Sequence, residues 1–260
     1  HLTQTAVTQR IRTLETQLKT TLFIRTRRGM QLTQQGEALL HYCQAAKLLE
    51  GEALASIQGA ATQTEVALSI TAPSSMMRSR IMPGCLPVMK KFPHLLLHFD
   101  VNDTEVGHQD LRSGKADLAV IREQDLALEM QYKKLQPEQY VLVCSAQWKS
   151  RRLKNIISHE RIIDFNATDQ ITLEYLKAYD LFSLAQRGRY YMNQTENLTD
   201  LVISGVGYSV LAKEFAKPYI QSKQLMVLNK SQTYDVFHVL AWFDRPEPPG
   251  YFSAILDAIA

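Results

Sequence analysis

The sequence predicts an α/β body built as two successive sets of strands and helices, carried behind a small basic head and a long helix. Three observations predict it. Apolar runs of strand length alternate with helix-period segments from Val66 onward. Residues 34–60 hold an unbroken helical stripe. Basic residues gather at one end: residues 1–33 contain Arg10, Arg12, Lys19, Arg25, Arg27 and Arg28 against Glu15 alone, whereas the rest of the chain is slightly acidic. A basic end on a near-neutral body points to a polyanionic partner at that end only.

The 260 residues suit two domains or one large one, and an apolar fraction of 45% is that of a globular protein. Cys43, Cys85 and Cys144 are odd in number and form no Cys-x-x-Cys pair, the usage expected in a reducing cytoplasm. No apolar run reaches the roughly 18 residues a membrane span needs, so no membrane partner is expected.

Residues 3–19 read as a helix capped by Thr3, with Ala6, Val7, Ile11, Leu14 and Leu18 on one face. The opposite face shows Gln4, Thr5, Thr8, Gln9 and Arg12. Leu22–Thr33 reads as two short strands around a basic Arg-Gly turn, a hairpin. The helix expected over 34–60 has Ala38, Leu39, Tyr42, Ala45, Ala46, Leu49, Ala53 and Ile57 at spacings of three and four. It would extend roughly 40 Å. A stripe of that length calls for a partner helix, hence self-association. Gly59 and Thr62-Gln63-Thr64 mark a linker.

In the body, strands are expected at Val66–Thr71, Leu95–Val101 and Ala116–Ile121, with helices at Met76–Phe92 and Gln109–Ser113. A second set starts at Tyr140–Ser145 and continues through strands at Arg161–Phe165, Arg189–Met192 and Ser209–Leu211 and helices at Gln170–Ala178 and Leu198–Ser204. Strands at Leu225–Leu228 and Val236–Phe243 and a helix at Tyr251–Ile259 close the chain. The alternation predicts largely parallel sheets.

An exposed face of Gln, Thr and Arg is what the major groove of double-stranded DNA accepts. Gln pairs with adenine, Arg with guanine, and Thr methyls pack on thymine methyls. Arg10, Arg25 and the turn arginines would hold phosphates, and Arg27 and Arg28 would reach the minor groove from the hairpin tip. By periodicity alone, the same face equally suits an ordinary amphipathic helix with a solvated side. Other chemistry is not expected. His94 and His98 flank the strand Leu95-Leu96-Leu97 with no further metal ligand at suitable spacing. Gly205-x-Gly207-x-Ser209 is neither a nucleophile elbow nor a dinucleotide loop. No catalytic residue, metal or cofactor is expected, and the chain is not read as an enzyme.

Leu2-Thr3-Gln4-Thr5-Ala6-Val7-Thr8-Gln9-Arg10-Ile11-Arg12-Thr13-Leu14-Glu15 resembles the recognition-helix signature of LysR-type transcriptional regulators, and the segment from Leu22 to Gly36 resembles the wing and linker-helix start that follow it. That family has a helix or more before the recognition helix, so the chain is expected to open within the DNA-reading domain. The resemblance implies an all-α winged helix-turn-helix remnant over 1–33 and a dimerisation helix over 34–62. An α/β effector domain follows, like a type II periplasmic binding protein, with one lobe from 63–137 and 232–260 and the other from 138–231. It implies a homodimer or homotetramer.

Such a fold binds its ligand in a cleft outside the carboxyl ends of the strands. Thr71-Ala72-Pro73-Ser74-Ser75, Asn102-Asp103, Arg122 and, from the second lobe, Asn166, Thr168 and Asp169 fall there. Asn166 and Asp169 equally suit caps for the helix near Gln170. Val101-Asn102-Asp103-Thr104-Glu105 and Phe165-Asn166-Ala167-Thr168-Asp169 resemble motifs of the branch that controls export of basic amino acids (ArgP/LysG). That resemblance implies an amino acid effector such as lysine or arginine, its carboxylate on the Ser74/Ser75 helix start and its ammonium on Asp103 or Asp169. The chain departs from the branch at Pro73-Ser74-Ser75-Met76, where a carboxylate is lost, and Arg122 adds positive charge, so an acidic effector is the alternative. A solute-binding protein of a transport system is the alternative from another class; the basic head and the 34–60 stripe argue against it.

Overall fold

The computed structural model describes residues 3–26, 29–40, 42–43, 46, 50, 65–103, 107–245 and 248–259. Arg27, Arg28, the linker at 62–64, Glu105 and most of the expected long helix lie outside the described residues.

The head is a helix and a hairpin. Helix α1 (Gln4–Leu18) starts where the Thr3 hydroxyl accepts the Ala6 N–H and ends at Lys19 in the left-handed conformation. Strands β1 (Phe23–Thr26) and β2 (Gly29–Leu32) pair antiparallel from Phe23↔Leu32 to Thr26↔Gly29. Glu15 ties them to α1 by accepting the N–H groups of Leu22 and Phe23 at 2.7 and 3.2 Å. The chain is helical again over 34–40 (α2), capped by Thr33, whose hydroxyl accepts the Gly36 N–H. A side chain at Gly36 would overlap the Leu22 carbonyl, so this crossing of helix over hairpin requires glycine.

The body is two sheets with separate cores. In the first, β3 (Val66–Ala72) lies parallel to β4 (Leu95–Val101) and β5 (Leu118–Arg122), and β13 (His238–Phe243) runs antiparallel to β5 and β6 (Met130–Lys134). In the second, β8 (Arg161–Asp164) lies parallel to β9 (Arg189–Tyr191) and β10 (Gly207–Ala212). There β7 (Glu138–Ser145) runs antiparallel to β10, β11 (Leu225–Val227) and β12 (Thr233–Val236). The sheets are therefore mixed rather than largely parallel. The strands that return between the lobes, β7 and β13, enter against the run of their neighbours.

Helix α3 covers one face of the first sheet. It starts at Ser74–Met76, passes a π-turn at Met77–Ile81 and continues through Met82–Lys91. The closing helix α9 (Gly250–Ala258) packs beside it, burying Tyr251, Phe252 and Ile255 with Met76, Ile81 and Cys85. Helix α4 (Gly107–Arg112) covers the other face. The second sheet is covered by α5 (Leu153–His159), α6 (Ile171–Ala178), α7 (Thr195–Ile203) and α8 (Lys213–Gln221). Two of these helices, α5 and α8, and strand β6 were not picked out from the sequence. In β6 only Met130 is buried, so its pattern reads as polar.

One boundary moves. Residues 233–236, expected with the first lobe, pair with β7 as part of the second sheet, Val236 lying opposite Glu138. The apolar run expected as one strand from Val236 breaks at the exposed Phe237, where the chain crosses between sheets.

Candidate functional site

On α1, Gln4, Thr5, Thr8, Gln9 and Arg12 are all exposed, as is the capping Thr3, and none packs inward. The Thr8 hydroxyl donates to the Gln4 carbonyl at 2.9 Å, within the helix itself. Arg25 pairs through its backbone with Met30 in the hairpin.

The second site is a cavity of about 360 Å³ between the lobes, a size suited to a small metabolite. It lies past the carboxyl ends of β3, β5 and β8. Ser74, Ser75, Asp103, Arg122, Asn166, Thr168 and Asp169, drawn from both lobes, all line it. Thr71, which opens the first of the expected cleft segments, also lines it, as do Asp125, Tyr140, Thr195 and His238, which were not picked out from the sequence.

Several of these groups already have protein partners. Asn166 Oδ1 accepts the N–H groups of Thr168 and Asp169 and the Thr168 hydroxyl at 2.7–2.9 Å. Asp169 accepts the Ile171 N–H at 3.0 Å and the Phe165 N–H at 3.3 Å. Asp169 therefore holds the first N–H of α6, whereas the Asn166 bonds stay inside the loop and reach no helix N–H; both residues line the cavity. Arg189 clamps the loop from behind. It donates to Asp164 Oδ2 at 2.7 Å, to the Asp169 carbonyl at 3.0 Å and to the Ala167 carbonyl at 3.1 Å. The N–H of Ser74 is occupied by Asp103 Oδ1 at 2.6 Å. The helix start expected to receive a ligand carboxylate already holds the protein's own.

The cavity floor is the crossing between lobes. Glu138, the first residue of β7, is 3% exposed and accepts the Tyr140 hydroxyl at 2.9 Å. Burial pushes the Glu138 carboxyl above the usual carboxylate range, and burial with the Glu138 charge raises the Tyr140 phenol well above its ordinary value. His238, the first residue of β13, is pushed down to about 4 by burial and by the Arg122 and Arg80 charges. Arg80, on the π-turn, donates to the carbonyls of Gln136 and Pro137 in the crossing itself. Thr71 Oγ1 and His238 Nδ1 are buried with no hydrogen-bond partner among the described residues. Cys85 and Cys144 are buried, with thiols pushed up to about 11 and about 12, so neither is a thiolate near neutrality. No described helix is long and apolar enough to cross a membrane.

A two-lobed α/β body with a metabolite-sized cavity between its lobes, behind a helix that exposes Gln, Thr and Arg, defines a ligand-responsive DNA-binding regulator. Residues 1–37 match the bacterial regulatory helix-turn-helix protein, lysR family, and residues 61–259 match the LysR substrate binding domain. The chain belongs to the LysR family of transcriptional regulators, which are not enzymes.

Among its relatives, the nitrogen assimilation regulatory protein nac of Escherichia coli (strain K12) is 27% identical over 225 residues, 84% of this chain and 72% of that protein. The HTH-type transcriptional regulator ArgP of Photorhabdus laumondii is 28% identical over 162 residues, 62% of this chain and 53% of that protein. The crystal structure of ArgP from Mycobacterium tuberculosis matches with a TM-score of 0.80 at 22% identity, covering 99% of this chain and 87% of that one. Full-length LysG from Corynebacterium glutamicum with bound effector Arg matches with a TM-score of 0.76 at 18% identity, with the same coverage. These two structural likenesses show the fold.

Proposed function

We propose that this regulator binds double-stranded DNA through the exposed face of α1 and senses an amino acid with a cationic side chain, lysine or arginine, in the cleft between its lobes. One observation carries the effector reading: the cavity joins one arginine, Arg122, to three carboxylates, Asp103, Asp125 and Asp169, from both lobes. A zwitterion with a second positive group complements that set. Its carboxylate would face Arg122, since the Ser74 N–H is taken by Asp103. Its ammonium would face Asp169, whose carboxylate has lone pairs beyond those that accept the Phe165 and Ile171 N–H groups. LysG with bound effector Arg, among the structural relatives, supports the same class. The protein would act in the cytoplasm as a homodimer or homotetramer, with arginines on the hairpin gripping phosphate.

Isothermal calorimetry with lysine, arginine, glutamate and a dicarboxylate tests this. Heat with lysine or arginine is the expected result. Heat with the dicarboxylate alone would replace the cationic effector by an acidic one held at Arg122.

A further inference from the structure

Across the cleft, Ser74, Asp103 and Thr195 close a ring of hydrogen bonds. The Ser74 N–H donates to Asp103 Oδ1 at 2.6 Å, the Ser74 hydroxyl donates to Thr195 Oγ1 at 3.0 Å, and the Thr195 hydroxyl donates to Asp103 Oδ2 at 3.4 Å. A hydroxyl carries one proton and two lone pairs, so every bond in this ring has its donor and acceptor with no proton left over. Ser74 and Asp103 belong to the first lobe, at the ends of β3 and β4. Thr195 opens α7 in the second, where its carbonyl is held by the Thr199 hydroxyl at 2.8 Å. Ser74 and Asp103 line both the inner cavity and a second, outer one of about 640 Å³, which places the ring between the two.

We propose that Thr195 is a positioning residue whose hydroxyl latches the lobes together behind the effector. The latch turns Asp103 toward protein donors. The charge of Asp103 then serves closure, and Asp169 and Asp125 are left to meet a ligand cation. The ring needs no ligand atom, so it favours the closed form in the empty protein as well. A ligand that binds the closed form loses apparent affinity in proportion as that form is depopulated. This rests on the reading of the cleft as the effector site, but the latch itself can be tested without an effector.

The test uses the full chain with Thr195→Val, which keeps the shape and removes the hydroxyl, Thr195→Ser, which restores it, and Ser74→Ala, which removes the donor to Thr195 but keeps the amide. Hydrogen exchange of the segments around Ser74 and Thr195 is followed without ligand, and calorimetry is run with arginine and lysine. Thr195→Val and Ser74→Ala are expected to speed exchange in both segments; Thr195→Val, which removes the bond to the Asp103 carboxylate as well as the bond from Ser74, should raise the Kd by about tenfold, and Ser74→Ala, which removes the hydroxyl–hydroxyl bond alone, by about threefold. Thr195→Ser is expected to behave as the parent. Unchanged exchange in Thr195→Val and Ser74→Ala overturns the latch. If the parent binds neither amino acid, the effector reading fails while exchange still decides the latch.

Discussion

His238 lies directly opposite Arg122 across the β5–β13 ladder, at the floor of the interlobe cavity. The guanidinium and the imidazole therefore stand on the same face of the sheet. Burial, and after it the Arg122 and Arg80 charges, keeps that imidazole neutral and pushes His238 down to about 4.

The pairing makes stability depend on pH in a stated direction. In the unfolded chain His238 takes up its proton near pH 6.5, whereas the fold refuses it until about 4. Its contribution is therefore fully present above pH 6.5 and is lost as pH falls toward 4, on the order of 3 kcal/mol in all. Glu138 and Asp164, both raised by burial, work in the opposite sense, because the fold binds their protons more readily than the unfolded chain does. Urea unfolding of the parent and of His238→Gln at pH 7 and pH 4 separates the two. The parent should lose stability relative to the variant; parallel curves would remove His238 from the pH response.

Arg189 is predicted to be the main support of the 165–169 loop. Asp164 is 1% exposed, and Arg189→Met leaves its carboxylate buried without a cation. The expected cost is about 3 kcal/mol in urea unfolding. Adding Asp164→Leu to Arg189→Met should recover most of that loss, since an apolar pair can replace a buried ion pair. A double variant no more stable than the single one contradicts the assignment.

In the head, Gln4→Ala and Thr5→Ala are expected to narrow the gap between cognate and random duplexes, and Arg27→Ala to weaken both alike and flatten the salt dependence. Fluorescence anisotropy on the two duplexes across a salt series reads all three. Equal losses on both duplexes from Gln4→Ala would take α1 out of base reading.

Gly36→Ala is predicted to separate the head from the body. Its methyl would overlap the Leu22 carbonyl, at a cost of about 1–3 kcal/mol borne by the small helix-hairpin unit. DNA affinity should fall while effector binding in calorimetry stays. Intact DNA binding would show that α2 can lift off the hairpin.

Much of this fold was legible where local rules act strongly. Thr3 before an apolar repeat marked the start of α1, and buried runs such as Ala116–Ile121 marked the strands whose ends carry Arg122 and Asp103. In an α/β fold those strand ends mark the cleft, so the seven expected cavity residues followed from topology. Thr195 and His238 were hidden for opposite reasons. Thr195 begins a helix with no side-chain cap to announce it. His238 sits inside an apolar run whose break at Phe237 comes from the crossing of the chain, a tertiary event with no local mark. The partnering of Asp103 with Ser74 was likewise out of reach, since it joins residues 29 apart.

The two passages between the lobes lie side by side: Val236 faces Glu138, and the Leu135 N–H donates to the His238 carbonyl at 3.1 Å. Both joints thus hang on one jamb, beside the Arg80 grip on the carbonyls of Gln136 and Pro137. Two neighbouring crossings held by one arginine are the arrangement a hinge needs, so a change at Arg80 would act on both passages at once.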